Sequence, residues 1–302
     1  MCGIVGLFLK SEALRPELGR LTALMLHEMR DRGPDSAGFA VYDAPEEVTK
    51  ITCLSTTGDT DWRAIDADLE RHLDAEVTTT VVEDHAILRT SGDGSAARKR
   101  IIEIAPCVTV LSVGRSIELF KGIGDPDDVA ERFGLAGRSG AHAIAHTRMA
   151  TESAVTTAGS HPFSTGADTC LVHNGSLSNH NRLREALETR GESFQTENDS
   201  EVAAGYMSWR MREGDDLRAA VEHALRDLDG FFTFAIGVRD GFAVVRDPIA
   251  CKPAVIAETD EWVAMSSEFR AIDKLPGVAH AEIWEPQPGR IYTWSHANRA
   301  AA

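Results

Sequence analysis

Cys2-Gly3 leads into an unbroken apolar run from Ile4 to Leu9, and a stretch this short predicts a buried strand over residues 2–9. The period then lengthens. Over residues 17–30 the apolar positions Leu18, Leu21, Met25 and Met29 fall on one helical face. That helix stops at the turn cluster Asp31-Arg32-Gly33-Pro34-Asp35, and residues 39–42 predict a second strand. From about 44 to 140 the pattern is mixed. It predicts a helix over 62–73, β-branched strands over 76–82 and 108–113, and a short helix over 125–133. Ser91-Gly92-Asp93-Gly94-Ser95 predicts a loop, followed by a basic patch at Arg98, Lys99 and Arg100. Beyond Gly140 the elements crowd together. Strands are expected over 143–147, 169–173, 231–238, 242–246, 254–257, 262–266 and near 289–294. Helices are expected over 181–190, from the N-cap signal Asp199-Ser200-Glu201 through Met211, and over 216–228. Strands dominate both ends with helices between, which predicts two sheets covered by helices.

Composition narrows the classes. The chain has 302 residues, 43% of them hydrophobic, enough for a sizeable core. Its 31 basic residues face 47 acidic ones, a formal charge of -16, which disfavours nucleic acid or an anionic membrane surface as partner. No apolar run approaches the ~20 residues of a membrane span, and the N-terminus lacks signal-peptide character. Cys2, Cys53, Cys107, Cys170 and Cys251 are scattered, with no C-x-x-C. That spacing predicts reduced thiols, a cytoplasmic location and no metal site.

Candidate chemistry starts at Cys2. With Met1 removed, a thiol and a free α-amine share one Cα. Unperturbed, these titrate near ~8.5 and ~7.7–8.0, so the amine can take the thiol proton near neutral pH. Four more motifs follow in order: Arg32-Gly33-Pro34-Asp35-Ser36-Ala37-Gly38, His146-Thr147-Arg148, His173-Asn174-Gly175 and Asp199-Ser200-Glu201. Together with Cys2-Gly3-Ile4-Val5-Gly6 they resemble the glutaminase domain of class II glutamine amidotransferases. The later segment from Asp247 to Pro253 resembles the family's D-P-x-G-x-[RK]-P, with Ala250 where the pattern has glycine. The resemblance covers most of the chain outside about 44–120.

This resemblance implies an α+β N-terminal-nucleophile hydrolase, an αββα sandwich of two mainly antiparallel sheets. It also implies a single domain over 1–302 with an insertion at about 45–115. Cys2 is then the nucleophile on glutamine, and Asn174 and Gly175 donate to the oxyanion. Arg148 binds the substrate carboxylate, Asp199 its ammonium, and Arg32 orients the N-terminus. Each residue also has a plainer reading: Asn174-Gly175 as a hairpin turn, Arg148 as a surface ion pair, Asp199 as a helix N-cap, His146 and His173 as core or strand-end groups. Met149 and Glu152 depart from the aromatic residue and histidine of many members. No cofactor is expected on this chain. The family match runs to about Ser267, so a free-standing glutaminase subunit is expected. It is similar to those of split glutamate synthases and N-methylglutamate synthase, whose partner subunit carries flavin and iron–sulfur centres. The 45–115 segment has no recognised motif; it reads as a partner-docking or regulatory insertion or an elaborated edge, with docking preferred because long insertions on compact domains are often functional. An amidase acting on another amide, or a non-catalytic subunit of the same fold, are the alternatives.

Overall fold

The computed structural model describes residues 2–149 and 155–296. Its largest sheet has seven strands in the order β14-β12-β13-β1-β8-β2-β7. These are β14 (Glu282–Trp284), β12 (Val255–Glu258), β13 (Trp262–Ser266), β1 (Gly3–Leu9), β8 (His142–Arg148), β2 (Ser36–Tyr42) and β7 (Ile117–Ile123). A second sheet runs β15 (Ile291–Ser295), β11 (Gly241–Arg246), β10 (Gly230–Val238) and β9 (Thr169–Leu177). All these pairings are antiparallel.

The period of two along each strand makes the layers. In β1, Ile4 and Phe8 point between the sheets, where Ile144, Val263 and Met265 meet Val172, Ala235 and Val244 of the second sheet. Val5, Leu7 and Leu9 point the other way, onto helix α1 (Leu18–Glu28), with α4 (Pro126–Arg132) and α8 (Phe269–Ile272) in the same outer layer. The outer face of the second sheet, with Leu171, Phe232, Phe234 and Val245, lies under α5 (His180–Glu188), α6 (Asp199–Arg212) and α7 (Leu217–Asp227). The result is the expected α+β sandwich, helix–sheet–sheet–helix.

Residues 49–114 form a third sheet, ordered β4 (Val77–Val82), β5 (His85–Thr90), β3 (Thr49–Ser55), β6 (Val108–Gly114). Helix α2 (Trp62–Leu73) links β3 to β4, and α3 (Gly94–Ile104) links β5 to β6. A β-α-β-β-α-β chain in this antiparallel order is the split βαβ arrangement. Ile51, Cys53, Ala86, Leu88 and Val110 face Ile65, Leu69, Ala97 and Ile101 of the two helices. On the opposite face, Leu54 and Leu111 join the core between the two main sheets, and Ile87 joins the α1 layer.

Two sequence expectations fail here. The predicted loop at Ser91–Ser95 is partly the start of α3, because Asp93 caps that helix by accepting the Ala96 N–H at 2.7 Å. The basic patch is dispersed: Arg98 turns inward to the Thr165 carbonyl, and Arg100 pairs with Asp68 of α2 at 2.6 Å.

Candidate active site

Gly3 pairs with Thr147, which puts Cys2 beside Arg148 and Met149 at the end of β8. The Met149 backbone N–H points at Cys2 Sγ from 3.4 Å, and the Met149 carbonyl lies 3.7 Å from the same sulfur. Two donors hold the Cys2 carbonyl, Arg32 Nε at 3.0 Å and Asn174 Nδ2 at 3.2 Å. Arg32 comes from the short 3-10 turn Arg30–Arg32 that follows α1, and its guanidinium also meets Glu268 at 2.5 Å. The next residue explains the turn. A Cβ on Gly33 would sit 2.5 Å from the backbone nitrogen of Arg148, so only glycine lets this segment lie against β8.

Asn174 and Gly175 are not a hairpin turn. They lie inside β9, paired with Thr233 and Phe232 of β10. Gly175 has φ +149°, and a Cβ there would collide with the Phe231 carbonyl at 1.9 Å. The motif near Asp247 supports this pairing, since Asp247 Oδ2 accepts the N–H of Phe232 at 2.8 Å. Asp247 Oδ1 accepts from Ile249 and Ala250 in the turn that follows, where Ala250 adopts φ +51°. The glycine of the family pattern thus corresponds to a left-handed position.

Asn174 is buried. Its Oδ1 lies 3.1 Å from His146 Nε2, and its Nδ2 also donates to Ser267 Oγ at 3.3 Å. Burial pushes the His146 pKa down to about 3, against the opposing bond to Asn174, so the ring is neutral. Ser267 Oγ in turn accepts the Ile4 N–H at 2.9 Å.

Asp199 is not the N-cap of α6. Asn198 holds that place, accepting the Ser200 N–H at 2.9 Å. Asp199 sits in the first turn, where a carboxylate is favoured by the helix dipole. Its Oδ2 accepts the Leu177 N–H at 2.9 Å, fastening α6 to β9 two residues beyond Gly175. His173 Nδ1 lies 2.9 Å from Ser200 Oγ and 3.8 Å from Asp199 Oδ1. Burial lowers the His173 pKa, with Asp199 opposing.

Arg148 is 7% exposed, so it is no surface ion pair. Its guanidinium runs past Gly159, where a Cβ would stand 3.9 Å from Nη1. The Gly159 carbonyl accepts Asn198 Nδ2 at 3.4 Å, so one loop adjoins both Arg148 and the start of α6. Lys121 of β7 grips that loop, donating to the carbonyls of Ala158 and Ser160 at 2.9 Å each. Burial brings the Lys121 pKa down to about 7.

Cys2, Arg32 and Asn174 are therefore in direct contact, Arg148 adjoins Cys2 on the neighbouring strand, and Asp199 joins through Leu177. Met149 is partly exposed beside the sulfur, and Glu152 lies outside the described residues. Sequence reasoning missed Ser267, Glu268 and Lys121. Only the Ser266-Ser267-Glu268 run closing β13 hinted at the first two. Among the described residues, no group of three or more His, Cys, Asp or Glu side chains is placed to hold a metal, and no helix is long and apolar enough to cross a membrane.

A glutamine amidotransferase domain family matches residues 146–274. The chain is 52% identical over 305 residues to the glutamine amidotransferase-like protein GlxB of Rhizobium meliloti (strain 1021), covering 99% of this chain and 100% of that protein. It is 31% identical over 183 residues to the amidophosphoribosyltransferase of Methanocaldococcus jannaschii, covering 60% of this chain and 38% of that one. Its fold matches the solved glutamine phosphoribosylpyrophosphate amidotransferase from B. subtilis with a TM-score of 0.63 and 21% identity, over 98% of this chain and 48% of that structure. The chain thus spans about half the length of that solved protein. Sandwich fold and full-length relative agree: the chain belongs to the class II glutamine amidotransferases, enzymes with the N-terminal-nucleophile hydrolase fold.

Proposed function

We propose that this enzyme hydrolyses glutamine to glutamate and ammonia through a γ-glutamyl thioester on Cys2. The observation that carries the reading is the placement of Cys2, with an N–H aimed at its sulfur and its carbonyl held by Arg32 and Asn174. Once Met1 is gone, the α-amine of Cys2 takes the thiol proton and the thiolate attacks the side-chain amide carbon. The developing oxyanion is met by Asn174 Nδ2 and the Gly175 N–H, donors whose individual loss costs ~10²–10³ in rate. The same amine passes its proton to the departing nitrogen, which leaves as ammonia. Water then opens the thioester, with the amine as base.

Arg148 takes the α-carboxylate of glutamine in its planar fork, and Asp199 takes the α-ammonium. Ammonia passes to a separate synthase subunit of the glutamate synthase or N-methylglutamate synthase type, bearing flavin and iron–sulfur centres. The Rhizobium relative, itself a glutamine amidotransferase-like protein, aligns with this chain over its full length. Residues 45–115 supply part of the docking surface.

Steady-state glutaminase kinetics test the site. Arg148→Lys raises KM strongly, since a point-charge ammonium cannot replace the bidentate fork. Asn174→Ala lowers kcat by ~10²-fold or more with little change in KM. The opposite pattern would show the two roles to be misassigned.

A further inference from the structure

We infer that His146 is a positioning residue whose ring N–H fixes which end of the Asn174 carboxamide faces the nucleophile. This rests on the oxyanion role proposed for Asn174 and adds the device that keeps its donor pointing the right way. A carboxamide has nearly the same shape with its oxygen and nitrogen exchanged, so only its hydrogen-bond partners select one orientation. Three partners surround this one. The Cys2 carbonyl, 3.2 Å away, can only accept, so it demands the NH₂ end. Ser267 Oγ, at 3.3 Å, accepts or donates and selects neither. His146 Nε2, 3.1 Å from Oδ1, casts the deciding bond. As Nε2–H it donates to Oδ1 and locks the NH₂ toward Cys2. As a bare Nε2 it would oppose one acceptor to another and favour the flipped amide, whose oxygen would repel both the Cys2 carbonyl and an oxyanion.

The surroundings select the Nε2–H tautomer. His146 is 1% exposed, and its Nδ1 is buried with no partner in hydrogen-bonding geometry, the backbone of His173 being another polar group that acts on the ring. An orphaned lone pair there costs less than an orphaned N–H, which the other tautomer would create. The ring plane is fixed as well. His146 lies on β8, flanked by Ile4 of β1 and Gly38 of β2, and its ring stacks on His161 at 4.1 Å. His161 thereby limits the ring's rotation without bonding to it. The oxygen end of Asn174 is thus held from the large sheet, while its backbone belongs to the small one.

The test uses the full chain with His146→Met, which fills the space with no donor, and His146→Gln, whose amide N–H can replace the ring donor. Asn174→Ala and the double variant H146M/N174A complete a cycle. Glutaminase kinetics are read beside the rate of Cys2 alkylation by iodoacetamide, a reaction that forms no oxyanion. The expected result is a kcat about 10²-fold lower for H146M, with KM within a few-fold and alkylation within about two-fold of the parent. H146Q recovers at least about ten-fold of that loss. The double variant is no slower than Asn174→Ala alone, because both changes remove one donor. If H146M fails to fold, near-parental kcat in H146Q carries the inference, and a ~10²-fold loss there overturns it. A parental kcat in H146M beside a slow Asn174→Ala, or additive losses in the double variant, would overturn the inference alone. A parental kcat in Asn174→Ala would remove the oxyanion role itself, and this inference with it.

Discussion

The Cys2 end of the sandwich and the 49–114 module are held by different forces. Around Cys2, buried polar groups bind one another: Arg32 and Asn174 hold the Cys2 carbonyl, His146 and Ser267 hold Asn174, and Asp199 ties α6 to Leu177. In the module the core is apolar, with Ile51, Leu69, Leu88 and Ile101 fully buried. Polar links join it to the sandwich at its margins: the Gln195 side-chain amide pairs with the Val110 carbonyl and N–H at 2.8 and 3.0 Å, and Lys50 and Arg89 reach Glu118 of β7 at 3.4 and 3.3 Å. Directional bonds fix the positions of reacting groups, where an ångström of error costs orders of magnitude in rate. Apolar packing tolerates substitution as long as volume is kept. Under the proposed function, chemistry belongs to the first region and partner docking to the second, although Leu54, Leu111 and Ile87 tie the two cores together.

The largest effect should come from removing the module. Tyr42 and Ile117 are paired neighbours in β2 and β7, and the Asp43 N–H donates to the Ser116 carbonyl at 3.2 Å. Replacing residues 44–115 with an Asn-Gly turn therefore closes the large sheet by a two-residue hairpin. Basal glutamine hydrolysis is expected to stay within a few-fold of the parent, and stimulation by the synthase partner to disappear. Assays with and without the partner check this. Loss of basal hydrolysis would make the module part of the site.

Leu88→Ala empties a fully buried position under α2 and α3 and should cost about 2–5 kcal/mol. Denaturant unfolding measures that loss, while kcat of the folded protein stays at the parental value. The smallest effect lies in the sandwich itself. Ala250 holds φ +51° where the family pattern has glycine, a conformation that strains an L-residue by roughly 1–2 kcal/mol. Ala250→Gly releases that strain but loosens the unfolded chain, so a net gain of about 1 kcal/mol or less is expected, seen as a small rise in Tm.

Much of this was legible from pattern alone. The span predicted for α2 coincides with Trp62–Leu73 and that for β13 with Trp262–Ser266, because each carries a clean period. Strands β3 and β5 escaped, since TKITCLS and HAILRT mix polar and apolar residues on faces that are both covered, one by helices and one by the sandwich. Helix α3 hid behind glycines that resemble a loop. At the site, the order of motifs brought out Cys2, Arg32, Arg148, Asn174 and Asp199. Their supports stayed hidden for a physical reason. Ser267 lies 93 residues from Asn174 and Glu268 lies 236 from Arg32, and no local period encodes contacts of that range. Reading Asn174-Gly175 as a turn, and Asp199 as a cap, applied local rules to residues whose conformation is set by the neighbouring strand and by Asn198.

In the proposed mechanism an N-terminal thiol, with its own α-amine as base, performs the chemistry. Intact-mass measurement before and after treatment with diazo-oxo-norleucine tests it most directly. Active protein is expected to lack Met1 and to gain a single adduct, mapped to Cys2, with activity lost in proportion. Active protein that retains Met1, or inactivation tracking an adduct on another cysteine such as the exposed Cys251, would contradict it.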